Sequence, residues 1–572
     1  RRLLAMFRHL TERPIRLPRL RPYVPNPNDP AIFWFNSERK DITRDVIERV
    51  TTTQSEETSN LELVLNDTAL REIRRLALQN DERSRQPLSR YRRLLHRIAR
   101  MTDEEKVKLL RAETTLMVED IAGNFDMRVY HFVCQIVPHL FPSLMRPSRV
   151  PTALGRHGTE SLDALLSVEG DLEILQKLGE KGTLVYVPTH CSNLDSVALA
   201  YALHRSGLPP VVYGAGKNLF SNPILSFFMH NLGAYRVDRR IEASLYKNVL
   251  KTYSGVLVER GYHSLFFPGG TRSRSGAVEN RLKLGFLGSA VEAFSRNQVR
   301  GVDRKVFFVP TTINYELVLE AETLIADWLT EEGQSRYIIE DDEFSRAERW
   351  FAFFRKLADS PGACVVRFGT PIDPFGNVVD DSGASLSPSG SRMNPGSYVT
   401  SQGRPRIDRD RDAAYTHDLG EVLVRTYTKE TVLMATHLVA HTLYRKLVRH
   451  TEGLDLFARL RVRGEVTMSR TEATEELGVL RDALKSLEEE GALRLSEFVR
   501  DEPPAHILER ALNLLQGYHR RPAAVDLGAE ISAEEPSLLL YYQNRLAPFA
   551  TRVAPRSYAR AAEVICSTEM RR

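Results

Sequence analysis

An α/β fold is predicted, with a layered domain built on a central mixed sheet and flanked by N-terminal and C-terminal helical domains. Three observations carry the prediction. Between about residues 120 and 375, short runs rich in β-branched and aromatic residues alternate with helical stretches, the pattern of a sheet covered by helices. Residues 30–115 are helix-prone and charged, and apolar positions such as Leu61, Leu63, Leu65, Leu70, Ile73 and Leu76 suggest packed helices. Beyond residue 412, Tyr415–Arg449 and Glu472–Leu493 again repeat with helical periodicity.

The divisions follow in order: residues 1–115 as an N-terminal helical region with a basic start, 116–375 as the α/β domain, 376–412 as a flexible linker or insertion, and 413–572 as a C-terminal helical domain. Residues 1–21 hold seven arginines against the single acid Glu12, interleaved with Leu3, Leu4, Met6, Phe7 and Leu10, which suits an anionic lipid surface. The chain opens on Arg1 instead of methionine, so its native start is expected to lie upstream. Expected strands are Leu184–Val187, Val211–Tyr213, Tyr235–Val237, Ser264–Phe267, Val306–Pro310 and Cys364–Phe368. The linker reading of 376–412 rests on its richness in Gly, Ser, Pro and Asp. No internal repeat is apparent.

At 572 residues the chain is long enough for several domains. Its 79 basic and 74 acidic residues leave a net charge of +5, a mild excess that does not mark a nucleic-acid binder. No stretch reaches the run of about 18 uncharged apolar residues that a membrane-spanning helix needs. Val129–Met145 and Pro223–Tyr235 are the nearest, and either suits the headgroup region as well as it suits a core. Cys134, Cys191, Cys364 and Cys566 are scattered without a Cys-x-x-Cys spacing, so structural disulfides are not expected. Neither is a metal, since His131, Cys134 and His139 lack a fourth ligand.

The chemistry concentrates in four blocks. Pro188-Thr189-His190-Cys191-Ser192-Asn193-Leu194-Asp195 follows the first long strand. A histidine near neutral pKa, oriented by a carboxylate on its other ring nitrogen, can take a proton from an alcohol. Cys191 beside His190 is no dyad, because adjacent side chains diverge. Gly233-Ala234-Tyr235-Arg236-Val237-Asp238-Arg239-Arg240 is the second block. The third, Phe266-Phe267-Pro268-Gly269-Gly270-Thr271-Arg272-Ser273-Arg274-Ser275-Gly276, packs glycines and two arginines into one turn. Glycines admit an anion to backbone amides, and guanidinium forks match phosphate oxygens. The fourth is Val306-Phe307-Phe308-Val309-Pro310-Thr311-Thr312-Ile313-Asn314-Tyr315-Glu316.

In this order and spacing the blocks resemble the glycerolipid acyltransferases. Ala215-Gly216-Lys217-Asn218-Leu219 and Leu539-Leu540-Tyr541-Tyr542-Gln543-Asn544 look like features of the glycerol-3-phosphate branch, as against the shorter lysophosphatidate acyltransferases. The strong part of the match covers 184–316.

The resemblance implies that His190 is the general base for the sn-1 hydroxyl of glycerol 3-phosphate and that Asp195 orients it. It implies that Arg239, Arg272, Ser273 and Arg274 hold the substrate phosphate. Gly233, Gly270 and Thr271 would shape the site, while Val309 and Pro310 would line its acyl-donor side. The donor would be acyl-CoA or acyl carrier protein, used directly, with no acyl-enzyme, no cofactor and no metal. The implied location is the cytoplasmic face of the bacterial inner membrane, as a peripheral protein without a transmembrane span. Dihydroxyacetone phosphate and lysophosphatidate remain alternative acceptors, and thioester hydrolysis an alternative reaction. Oligomeric state is not readable.

Three positions depart from the family pattern. Gly269 stands where a glutamate usually precedes Gly-Thr-Arg, so the role of that carboxylate must be replaced or lost. Asp238 beside Arg239 is placed to pair with it and compete with phosphate. Leu282-Lys283 replaces a Pro-Lys pair, making Lys283 a minor candidate. A nucleotide or nucleic-acid module is disfavoured: Gly216-Lys217 is not a Walker A loop, and no aromatic-basic interleaving accompanies the arginines.

Overall fold

The computed structural model describes residues 24–27, 29–56, 61–79, 82–135, 164–217, 220, 223–332, 356–357 and 360–553. The basic start, residues 136–145 of the first membrane candidate, Asn218, Leu219, His139 and Cys566 lie outside them.

Among the described residues a 3-10 turn at Ala31–Trp34 leads into four α-helices: α1 (Phe35–Glu56), α2 (Leu61–Gln79), α3 (Glu82–Ile98) and α4 (Asp103–Ile121). Thr102 and Glu105 form a reciprocal capping box that starts α4. In α2 the residues at helical spacing, Leu61, Leu65, Ala69 and Leu76, are buried, but Leu63 and Leu70 are exposed. At 3.6 residues per turn those two fall on the opposite face, so they are not the core positions expected of them. α4 runs past residue 115, so the expected boundary falls inside a helix.

The α/β layer follows as β1 (Leu166–Glu169), α5 (Leu172–Lys181), β2 (Gly182–Pro188), α6 (Asp195–Arg205), β3 (Val212–Gly216), α7 (Pro223–Asn231), β4 (Ala234–Val237), α8 (Ser244–Glu259), β5 (Ser264–Leu265), α9 (Leu284–Val299), β6 (Lys305–Tyr315), α10 (Ala321–Glu332) and β7 (Cys364–Phe368). The sheet order is β1-β7-β6-β2-β5-β3-β4, with β7 antiparallel to β6 and every other neighbour parallel. β2 and β6 lie side by side from Gly182↔Lys305 to Pro188↔Thr311. Both are buried along nearly their whole length, which explains why they read as unbroken apolar runs instead of alternating ones. The expected strands all appear. Of the seven strands of this sheet, only β1 was not foreseen.

The N-terminal helices cover one end of this sheet. Phe35, Val46 and Val50 of α1 share a core with Leu65 of α2, Val212 of β3, Tyr235 of the edge strand β4, and Val249 and Tyr253 of α8. α8 packs closely on α9 because Gly255 has no side chain; a methyl there would lie 3.2 Å from the Ser289 carbonyl oxygen.

Two expectations need correction. Residues 376–412 are not a flexible linker. They form an ordered meander of two-residue strands at 378–379, 385–386 and 392–393, a 3-10 turn at Pro395–Val399, and the start of a helix. Val379 and Val399 are buried, and Phe375 stacks on Tyr398 at 4.5 Å. The composition that resembles a linker is also that of consecutive tight turns.

The described part of the expected C-terminal domain, residues 413–553, is mainly helical but also holds a small sheet, and it is not a separate unit. Helices α11 (Arg409–Glu430), α12 (Ala435–His450), α13 (Arg470–Glu489), α14 (Pro504–Leu515) and α15 (Pro536–Gln543) are joined by a three-stranded antiparallel sheet of 467–469, 530–533 and 524–526. One continuous core runs from Leu166, Leu184 and Val309 to Leu443, Leu512 and Leu539. α11 covers the other face, where Leu423 and Tyr427 meet Val185, Val187, Phe294 and Phe308. Among the described residues no helix is long and apolar enough to cross a membrane.

Candidate active site

In parallel sheets, ligands collect at the carboxyl ends of the strands. Here β2 ends two residues before His190, β5 just before the Gly-rich turn, β3 at Ala215–Gly216, and β4 two residues before Arg239. Those ends surround a cleft of about 210 Å³, lined by His190, Arg239, Thr271, Arg272 and Arg274 among others. The histidine and the guanidinium groups therefore face one space.

His190 is held on every side. Its Nδ1 lies 2.8 Å from Asp195 Oδ2, and its ring stacks on Phe267 at 4.1 Å between centroids. Its peptide N–H donates to Glu279 Oε1 at 2.6 Å, and its carbonyl accepts from the Ser273 N–H at 2.7 Å. The ring is mostly buried, at 13 % side-chain exposure, and Nε2 is the nitrogen left for the cleft. With Asp195 on the Nδ1 proton, Nε2 carries the lone pair a general base needs.

Asp195 opens α6, so the helix N-terminus favours its negative charge. Besides the imidazole, the Cys191 and Ser192 N–H groups donate to Oδ2 at 2.6 and 2.9 Å, and the Tyr315 hydroxyl donates to Oδ1 at 2.8 Å. A fully buried carboxylate with four donors has one allowed orientation. Burial, and then the Asp195 charge, raise the Tyr315 phenol well above its ordinary range, so it remains a donor.

The three arginines differ in their engagement. Arg272 Nη1 is 3.4 Å from Glu320 Oε1, and Arg274 pairs with Glu331. Arg239 forms no ion pair among the described residues. Crowding by protein and the like charge of Arg272 both lower its pKa, which is the electrostatic mark of a cation lacking its anion. Asp238 does not compete, contrary to expectation. It forms two bonds with the Arg240 guanidinium, both 3.0 Å, leaving Arg239 to the cleft.

Other candidates are placed differently. Thr271 lines the cleft, whereas Ser273 supports it from behind: its N–H bonds to His190 and its hydroxyl to the Ala277 carbonyl at 2.8 Å. Gly270 (φ +75°) and Gly233 (φ +87°) make left-handed turns outside the lining, at the arginine turn and the entry to β4. Val309 and Pro310 do not line the cleft. They sit in the middle of β6, buried, paired with Tyr186 and Val187 short of the strand's carboxyl end. Lys283 caps α9 on the exposed side and is also outside the lining. Lys217 is turned to Asp120 at 2.7 Å.

Reading the residues alone missed Glu320, Tyr315 and Glu279. Glu320 is fully buried; it accepts from the Ser192 hydroxyl at 2.7 Å and the Asn193 N–H at 3.1 Å, joining the histidine loop to Arg272. Its signal was an acid at the end of the apolar run Leu317-Val318-Leu319. Cys191 is no nucleophile: burial, the first cause, pushes its thiol up to about 12, and its sulfur faces the Ile313 carbonyl and Arg545.

Comparison with known proteins places the similarity over the same stretch of chain. The family model described as Acyltransferase matches residues 168–314. A glycerol-3-phosphate acyltransferase of Aeromonas hydrophila is 36 % identical over 159 residues, covering 28 % of this chain and 19 % of that protein. One from Colwellia psychrerythraea is 29 % identical over 230 residues, or 39 % and 25 % of the two chains. One from Pseudomonas paraeruginosa is 33 % identical over 157 residues, or 27 % and 18 %. The chain's match thus spans a quarter or less of the length of these curated relatives.

Proposed function

We propose that this chain is a glycerol-3-phosphate 1-O-acyltransferase, a reading supported by the match of residues 168–314 to the Acyltransferase family model. The observation that carries the reading is that His190, oriented by Asp195, and the cations Arg239, Arg272 and Arg274 line one small cleft. A phosphorylated alcohol bound with its phosphate on the arginines brings a hydroxyl within reach of Nε2. His190 takes the hydroxyl proton as the oxygen attacks the thioester carbonyl. The tetrahedral intermediate collapses by breaking the carbon–sulfur bond, and the thiolate leaves with the proton from the imidazolium. Lysophosphatidate and a free thiol are the products, and no covalent enzyme intermediate is required.

A thioester hydrolase would need no phosphate site, so the guanidinium cluster favours a phosphorylated acceptor. The donor is a CoA or carrier-protein thioester. Attachment to the cytoplasmic face of a bacterial inner membrane belongs to the same reading, supported by the arginine-rich residues 1–21 and by a lipid product.

The test is to incubate the purified protein with labelled glycerol 3-phosphate and each thioester, and to identify the lipid formed. His190→Ala is expected to lower kcat by about 10²–10⁴-fold, the range for loss of a general base. Arg239→Ala is expected to raise the KM for glycerol 3-phosphate by about 10–100-fold with kcat less affected, the loss of a charge-assisted contact. Transfer at the wild-type rate by His190→Ala would refute the role of the histidine. A change confined to the thioester KM in Arg239→Ala would refute the phosphate site.

A further inference from the structure

The turn that carries the arginines has a hollow beside Gly269, and the hollow is filled by a carboxylate from elsewhere. A methyl group added to Gly269 would lie 2.7 Å from both Cδ and Oε2 of Glu279 and 2.9 Å from its Oε1. Glu279 follows the turn, ten residues further along the chain. Its Oε1 accepts the peptide N–H of His190 at 2.6 Å, and its Oε2 is buried without a hydrogen-bond partner. Such a side chain cannot swing aside to make room, because moving it would break the short bond and leave the His190 N–H unpaired in a buried site.

Glu279 does not line the cleft, so whatever it does is done through His190. The histidine's peptide is gripped at both ends, the N–H by Glu279 and the carbonyl by Ser273, while Asp195 and Phe267 hold the ring. The resemblance to the glycerolipid acyltransferases implies a glutamate at the position of Gly269, and a side chain there would enter the space that the Glu279 carboxylate occupies.

We propose that Glu279 is the relocated counterpart of that glutamate, a positioning residue that sets the base through its backbone N–H, and that position 269 is glycine because the site holds one carboxylate. The positioning role rests on the reading of His190 as the base; the relocation does not. Burial in this hollow pushes the Glu279 carboxyl up to about 8, with the His190 N–H and then Arg545 opposing the shift and Asp195 adding to it. A neutral carboxyl at pH 7 still presents an oxygen to the N–H, so an amide should replace it.

The test is an exchange of the two positions, comparing wild type, Glu279→Gln, Glu279→Ala, Gly269→Glu and the double variant Gly269→Glu/Glu279→Ala. Each of Glu279→Ala and Gly269→Glu is expected to lower kcat at least about tenfold, with both KM values within about threefold of wild type. Glu279→Gln and the double variant are expected to return to within about threefold of wild type, a coupling between neighbours that independent effects do not produce. A double variant no better than the worse single one, or a Glu279→Ala enzyme with wild-type kcat, overturns the proposal. If Glu279→Ala does not fold, recovery of folding on adding Gly269→Glu supports it and failure to recover overturns it. A second readout is independent of catalysis: in protein labelled with ¹⁵N-histidine, the His190 amide proton should be shifted downfield, move back in Glu279→Ala and return in the double variant. Absence of acyl transfer by the wild type would defeat the proposed function, while this resonance would still decide the relocation.

Discussion

Buried ionisable side chains decide the behaviour of single positions in this molecule, and Glu279 is the sharpest case. A glutamate in an unfolded chain titrates near 4.3, whereas this one is held at about 8. Between those values the native state keeps a proton that the unfolded state has released. The stability it contributes is therefore complete below about pH 4.3 and is lost as pH rises through 8. Glu279→Gln has no such proton, so its melting temperature should gain on that of the wild type as pH is raised from 5 to 8. Calorimetry at several pH values checks this, and a constant difference would mean that the carboxyl is not desolvated. His190, Asp195 and the three arginines were legible because each sits in a compact local pattern. Glu320 and Glu279 were not, because their partners are 128 and 89 residues away in the chain.

Between elements, the arginine turn is supported by the C-terminal helix as much as by the strand it follows. Gly276 has φ +80°, and a methyl on it would fall 2.0 Å from the Tyr541 carbonyl oxygen in α15. Asn544 Nδ2 donates to the Ser275 carbonyl at 2.9 Å, and Arg545 reaches the Ala277 carbonyl at 3.4 Å. Gly276→Ala thus adds a backbone collision to left-handed strain, and should destabilise by about 3 kcal/mol or more. Gly301→Ala has similar strain (φ +68°) but open space around it, and should destabilise by only about 1–2 kcal/mol. Thermal or denaturant unfolding of the two variants separates collision from strain; equal losses would mean that α15 gives way freely. Strands such as β2 and β6 were readable from their apolar runs. The meander after residue 376 was not, since turn-rich order and disorder share a composition.

For the whole molecule, the shared core makes the C-terminal region part of the same body as the α/β sheet, and packing buries several histidines. His263, His437 and His441 are buried, and that burial lowers their pKa values to about 4, 3 and 4. Nearby arginines at 304, 545 and 445 push in the same direction. In the unfolded chain these imidazoles titrate near 6.5, so the native state binds fewer protons below that value. Their contribution to stability is complete above about pH 6.5 and is lost as pH falls toward 4 and 3. At pH 5.5, unfolding should take up about three protons on these histidines and release about one from Glu279, a net uptake of about two from the four groups. Calorimetry in buffers of different ionisation enthalpy measures this uptake. None at pH 5.5 would mean that the imidazoles are hydrated in the native state.

Local information was enough for the α/β class, six of the seven strands of the main sheet and the compact blocks that carry His190 and the arginines, because periodicity and turn chemistry act over a few residues. Tertiary packing alone decided which groups hold those residues in place. It joined the C-terminal helices to the sheet in one core, withdrew Val309 and Pro310 into that core, turned Asp238 to Arg240 and set Glu279 in the hollow at Gly269. Each of these depends on the shape and charge of surfaces that meet only after folding, and no spacing along the chain records them.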